Sequence, residues 1–89
     1  MKSYTTRQFR QLYALLPRHV QHQARQTYRL FRENAAYPGL HFKRVHEDSA
    51  IYSARVGIGC RAVGVVDGDT IAWFWIGSNA GYDRLLESL

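Results

Sequence analysis

The sequence predicts an α+β fold: two N-terminal helices packed on a small, twisted, mainly antiparallel β-sheet, with a short C-terminal helix. Three observations predict it. The first third places Phe9, Leu12, Tyr13 and Leu16, and then Val20, Ala24, Thr27, Tyr28 and Phe31, at helical spacing, so each set lines one face. The stretch from Ile51 to Tyr82 instead alternates, or runs apolar, in segments of strand length. Within it stands Asp67-Gly68, a hairpin signal because both central positions of a type I′ turn need positive φ. At 89 residues the chain is expected to form one domain, residues 1–89, burying roughly 60% of its unfolded surface. A partner would add stability to so modest a core.

Taken in order, Lys2 to Thr5 reads as a short edge strand, and Thr5 or Thr6 can cap the first helix. Pro17 suits the first turn of the second helix, where its missing N–H is no loss. That helix is expected to end near Asn34. Tyr37-Pro38-Gly39 then forces extended or turn geometry before a strand from Leu40 to His46, in which His41 and Lys43 share a face. With both helices on one side of the sheet, that face is expected to be the open one. Ile51 to Val56 puts Ile, Ser and Arg on one face and Tyr, Ala and Val on the other. Gly57 to Gly59 reads as the bend to the next strand. Thr70 to Ile76 is apolar on both faces, which places it centrally, with Trp73 and Trp75 expected on one face as buried aromatics. Tyr82, Leu85, Leu86 and Leu89 give a short closing helical pattern.

The formal charge is +5, and the first 32 residues hold seven Lys or Arg with no Asp or Glu. Such a one-sided field suits an anionic partner, RNA or an acidic protein segment. Arg18, His22, Arg25, Arg29 and Arg32 recur at helical spacing; the stripe is either a solvated face or a phosphate track. One cysteine forms no internal disulfide, and no charged region followed by an apolar run marks a signal peptide, so a cytoplasmic protein is expected. The longest apolar run, Ile71 to Ile76, is far short of the roughly 20 residues of a membrane span. His19 and His22 have no cysteine or carboxylate at metal-ligand spacing, and the glycine bend has no Lys or helix behind it, so neither metal nor cofactor is expected. Cys60 has no recognisable His and Asn setting and reads as a strand residue.

The run YSARVGIGCRAVGVVDGDTIAWFWIGSNAGYDRLL, with PGLHFKRV upstream and two amphipathic helices before it, resembles the RelE/ParE superfamily of bacterial toxins. There an arginine strand, a Gly bend, a second Arg and a closing strand end in Gly, a His or basic residue, and Tyr. Two positions depart: Cys60 stands where Tyr is common, and Asn79 where many members carry His.

The resemblance implies the toxin of a type II toxin–antitoxin pair, an endoribonuclease acting on messenger RNA with the ribosome and held by a cognate antitoxin. Cleavage by the ribose 2′-hydroxyl needs a base, an acid, and cations for charge on the phosphoryl oxygens. Arg61 matches the second Arg of the pattern, and Arg55 ends the preceding strand; a guanidinium fork matches two phosphate oxygens. Tyr82 matches the closing Tyr, a base-stacking or proton-handling position whose phenol has a reference pKa near 10. Asn79 occupies the His position, where an amide hydrogen-bonds phosphate but exchanges no proton near neutral pH. His41, Lys43 and Arg44, with Arg25 and Arg29 of the second helix, are the expected RNA contacts. The structural alternatives are an ion pair of Arg61 with Asp83 and an anchoring role for Tyr82. The ParE side of the superfamily implies a different activity, poisoning of DNA gyrase without ribonuclease residues, and an inactive antitoxin-binding relative is the third reading.

Overall fold

A computed structural model describes Met1 to Leu89. The chain runs β1 (Lys2–Thr5), α1 (Arg7–Ala14), α2 (Arg18–Glu33), a 3-10 turn (Pro38–Leu40), β2 (Lys43–Arg44), β3 (Ile51–Val56), β4 (Cys60–Asp67), β5 (Thr70–Ser78) and α3 (Asn79–Ser88). The strands form one sheet in the order β1-β5-β4-β3-β2, with β1 parallel to β5 and the other pairs antiparallel. No helix is long and apolar enough to cross a membrane.

The capping residue of α1 is Thr6, whose hydroxyl accepts the Phe9 N–H at 3.2 Å. Pro17 sits one position before the first helical residue of α2, where its carbonyl takes the Val20 and Gln21 N–H groups. The apolar faces of both helices meet the sheet over Ala54, Val56, Ala62, Ile71, Trp73 and Ile76. Phe31 of α2 meets Trp73 and Phe42 edge to face, with ring centroids 5.3 and 5.1 Å away, a geometry aromatic quadrupoles favour. Burial of Phe31 stabilises the fold by about 1.5–3 kcal/mol.

Four expectations need correction. The strand expected over Leu40 to His46 contracts to Lys43–Arg44. Leu40 plugs the core from the 3-10 turn, and His41 follows with φ 47°, a left-handed residue that cannot extend a strand. Beyond Arg44 the backbone turns, because its guanidinium takes the His46 and Glu47 carbonyls and the His46 ring accepts the Asp48 and Ser49 N–H groups. The second hairpin is displaced by one residue: Asp67 pairs with Thr70, leaving Gly68-Asp69 as the two-residue loop. Only Gly68 has positive φ there, 62°, the arrangement of a turn with glycine at its first central position.

The other two corrections concern the two faces of the sheet. Val63 pairs with Trp75 and Gly64 with Trp73, so Phe74 is an extra residue in β5. This bulge reverses the alternation, placing Trp73 in the helix-side core and Trp75 against the opposite face. That opposite face is not open throughout, because α3 folds back on it and packs Tyr82, Leu85 and Leu86 near Ile51, Val63, Phe74 and Trp75. Gly64 fits the irregularity, since a Cβ there would lie 2.8 Å from Ile71 Cγ1 and 3.0 Å from the Ala72 carbonyl oxygen. Ile71 is fully buried and cannot yield. Gly64→Ala is therefore expected to cost about 1–3 kcal/mol, read as a lower urea midpoint with an unchanged slope.

Candidate functional site

Arg55 of β3 and Arg61 of β4 are direct cross-strand partners, so the β3–β4 register sets two cations side by side on the α3 face of the sheet. Like charges so placed repel. Arg55 Nε donates to the Gly57 carbonyl at 3.0 Å. Arg61 lies over the Tyr82 ring, its Cζ 5.1 Å from the centroid, while its Nη1 is buried with no hydrogen-bond partner. Asp83 does not supply the ion pair that would have made Arg61 structural. A buried, unpaired guanidinium nitrogen is costly.

Tyr82 reaches this point because α3 returns across the sheet. It is 8% exposed, and its hydroxyl donates to Ser53 Oγ at 3.2 Å. Its ring is thus a platform under Arg61, with the phenol turned into the core. Ser53 was not anticipated among the site residues. The available signal was a hydroxyl on the Ile51, Ser53, Arg55 face of β3, but only the return of α3 gives it a partner.

The bend between the two arginine strands is held at every carbonyl. Gly57 accepts from Arg55 Nε, Ile58 from Asn79 Nδ2 at 3.1 Å, and Gly59 from the Asn79 N–H at 3.1 Å. Gly57 has φ 61°, and a Cβ there would lie 2.7 Å from Gln23 Oε1 of α2. Asn79, the first residue of α3 after its Ser78 cap, therefore ties the end of the sheet to the bend carrying the arginines.

The remaining expected contacts divide between the two faces. Lys43 pairs with Ser53 and so extends the Arg55–Arg61 face toward the β2 edge. Its neighbour Arg44 pairs with Tyr52, on the helix-side face, and spends its guanidinium on loop carbonyls. His41 is exposed at the end of the 3-10 turn and does not lie in the strand with Lys43. Arg25 belongs to the helix side, where its Nε donates to the Tyr13 hydroxyl at 2.8 Å. Arg29 is exposed on the same helix. The α2 arginines and the β3–β4 arginines thus do not form one continuous site.

Cys60, buried in β4, faces the helix-side core. Burial pushes its thiol above the ordinary value, outweighing the downward pull of backbone hydrogen bonds at Arg61 and Gly77, so near neutral pH it is protonated and no nucleophile. A raised folded-state value means that the associated stability is complete below the ordinary thiol value and is lost as pH rises through the raised one. Iodoacetamide at neutral pH should modify Cys60 far more slowly in native protein than in urea, and equal rates would place the thiol at the surface.

The fold is thus a five-stranded sheet with a helix pair on one face, and α3 and the two arginines on the other. Residues 18–84 match the family of the ParE-like toxin domain. The chain belongs to that family. No curated protein matches the sequence. Among solved structures, a chain of the RelB-RelE antitoxin-toxin complex from Methanococcus jannaschii is 21% identical and aligns over 90% of this chain and 95% of its own, with a TM-score of 0.72. YafQ from E. coli is 10% identical over 91% and 96%, with a TM-score of 0.71. A chain of the RelBE2 toxin-antitoxin complex from Mycobacterium tuberculosis is 18% identical over 88% and 96%, with a TM-score of 0.63. At these identities the likeness is one of fold.

Proposed function

We propose that this toxin is an endoribonuclease that cuts messenger RNA, in association with the ribosome, and that a cognate antitoxin restrains it in the cytoplasm. The observation that carries the reading is the Arg55–Arg61 pair: two adjacent cations whose contacts are a backbone carbonyl and an aromatic ring, with one nitrogen buried and unpaired. A phosphodiester passing through a pentacoordinate state gathers charge on its phosphoryl oxygens, and fixed guanidinium donors stabilise that charge without reorganising. Lys43 on the same face extends the positive track along the strand. Incubation with programmed ribosomes and with naked RNA tests the reading, with new 3′ ends expected in at least one. No new ends in either would exclude an enzyme.

The antitoxin reading has its own support on the helix side. A groove of about 560 Å³ lies there, lined by Phe9, Tyr13, Tyr28, Phe31 and Trp73, with Arg10 and Arg25 also on its wall. That surface suits a segment combining apolar and acidic residues, and the solved RelB-RelE and RelBE2 structures are toxin-antitoxin complexes.

A second reading rests on Asn79, whose amide exchanges no proton and already serves the bend. A toxin that poisons DNA gyrase by binding needs no general acid or base there. Inhibition in a supercoiling assay without RNA cleavage would favour it; unaffected gyrase would remove it.

A further inference from the structure

We infer that Ser53 is a positioning residue of the arginine site, acting through Tyr82; the inference rests on the reading of Arg61 as the anion-binding group. Ser53 is 0% exposed in the middle of a sheet strand. A hydroxyl in such a place is unfavourable unless it is bonded, and core packing alone would be better served by an alkyl side chain. Its partner is the Tyr82 hydroxyl, from a helix 29 residues further along the chain. The bond fixes one end of the phenol inside the fold, and the ring face at the other end supports the Arg61 guanidinium. Ser53 thus sets the tilt of the ring, and the ring sets where the guanidinium stands beside Arg55.

Because the Tyr82 hydroxyl hydrogen is directed at Ser53 and the residue is 8% exposed, Tyr82 holds Arg61 in place and is not a proton donor to substrate. This assigns the two residues differently from a plain packing pair. A packing pair affects stability alone, whereas a positioning pair affects affinity for anions only while Arg61 is present.

The test uses Ser53→Ala and Tyr82→Phe, each in the native and in the Arg61→Ala background. The probe is a short single-stranded RNA; binding is followed by fluorescence anisotropy, cleavage by its pH profile, and Arg61 by the NMR signal of its Nε–H. Loss of the one hydrogen bond should weaken binding about fivefold in either variant, with no further loss when both are combined. In the Arg61→Ala background neither substitution should matter. The Arg61 signal should lose its ring-current displacement in both variants, and Tyr82→Phe should keep the pH profile of the native protein.

Equal losses in both backgrounds, or an unmoved Arg61 signal, would overturn the inference. So would loss of the alkaline limb in Tyr82→Phe, which would make the phenol an acid. If native protein does not bind the RNA, the anion-site reading fails while the Arg61 signal still decides the role of Ser53. Should Ser53→Ala not fold, Tyr82→Phe removes only one oxygen and carries the same test.

Discussion

Arg61→Ala is expected to lower cleavage by roughly 10² to 10³, equivalent to about 2.7–4 kcal/mol, the range seen when one preorganised donor to a developing oxyanion is removed. Folding should not suffer, because the cost the substitution relieves is at least as large as the contact it gives up. The variant gives up the guanidinium's contact with the Tyr82 ring, worth about 0.5–1 kcal/mol where partly exposed. It also relieves the burial of an unpaired Nη1, a desolvation cost of about 1–3 kcal/mol. The urea midpoint should therefore hold or rise slightly while toxicity on expression disappears. A fall in stability large enough to account for the lost toxicity would show that Arg61 is structural.

Arg55→Ala separates the two cations. Arg55 also donates to the Gly57 carbonyl, so its removal loosens the bend as well as halving the local charge. Arg61 has no such backbone bond, which is why its substitution isolates the anion-binding role more cleanly.

How far the sequence revealed this arrangement depended on how local each interaction is. The alternation in Ile51–Val56 was readable because the strand period alone assigns Ser53 and Arg55 to one face and Tyr52, Ala54 and Val56 to the other, as the two cores show. The Arg55–Arg61 pair was readable because the glycine bend sets its register. The two tryptophans were not, because Thr70 to Ile76 is apolar on both faces and such a run gives no sign of the extra residue Phe74. Nor does a helical pattern of Tyr82, Leu85 and Leu86 say which side of the sheet it will cover. The Asn79–Ile58 and Tyr82–Ser53 bonds span 21 and 29 residues, and no local propensity encodes them. The strand at Leu40 to His46 failed for a different reason, since turn bonds of Arg44 and His46 outcompeted strand pairing.

Asn79→His should raise cleavage, and the geometry of the asparagine says how. The amide nitrogen that donates to the Ile58 carbonyl occupies the place that Nδ1 of a histidine takes at the same distance from the backbone. An Nδ1–H can therefore keep that bond, and the Gly59 carbonyl still receives the backbone N–H of residue 79. With Nδ1 bound to a carbonyl, the tautomer is fixed and Nε2 is left free to take up a proton. A side chain with a reference pKa near 6.5 then stands beside the arginine bend in place of one that exchanges no proton. The expected gain is roughly 10² to 10⁴ in rate, the usual worth of a positioned acid or base, with a new pH dependence between about 5 and 8. RNA affinity should change little, because both cations remain, and the urea midpoint should hold because the latch is kept. If rate and pH profile both stay as they are while the fold is intact, residue 79 serves only to fasten the bend and the ribonuclease reading loses its proton carrier. Supercoiling by gyrase in the presence of the same variant then becomes the deciding measurement.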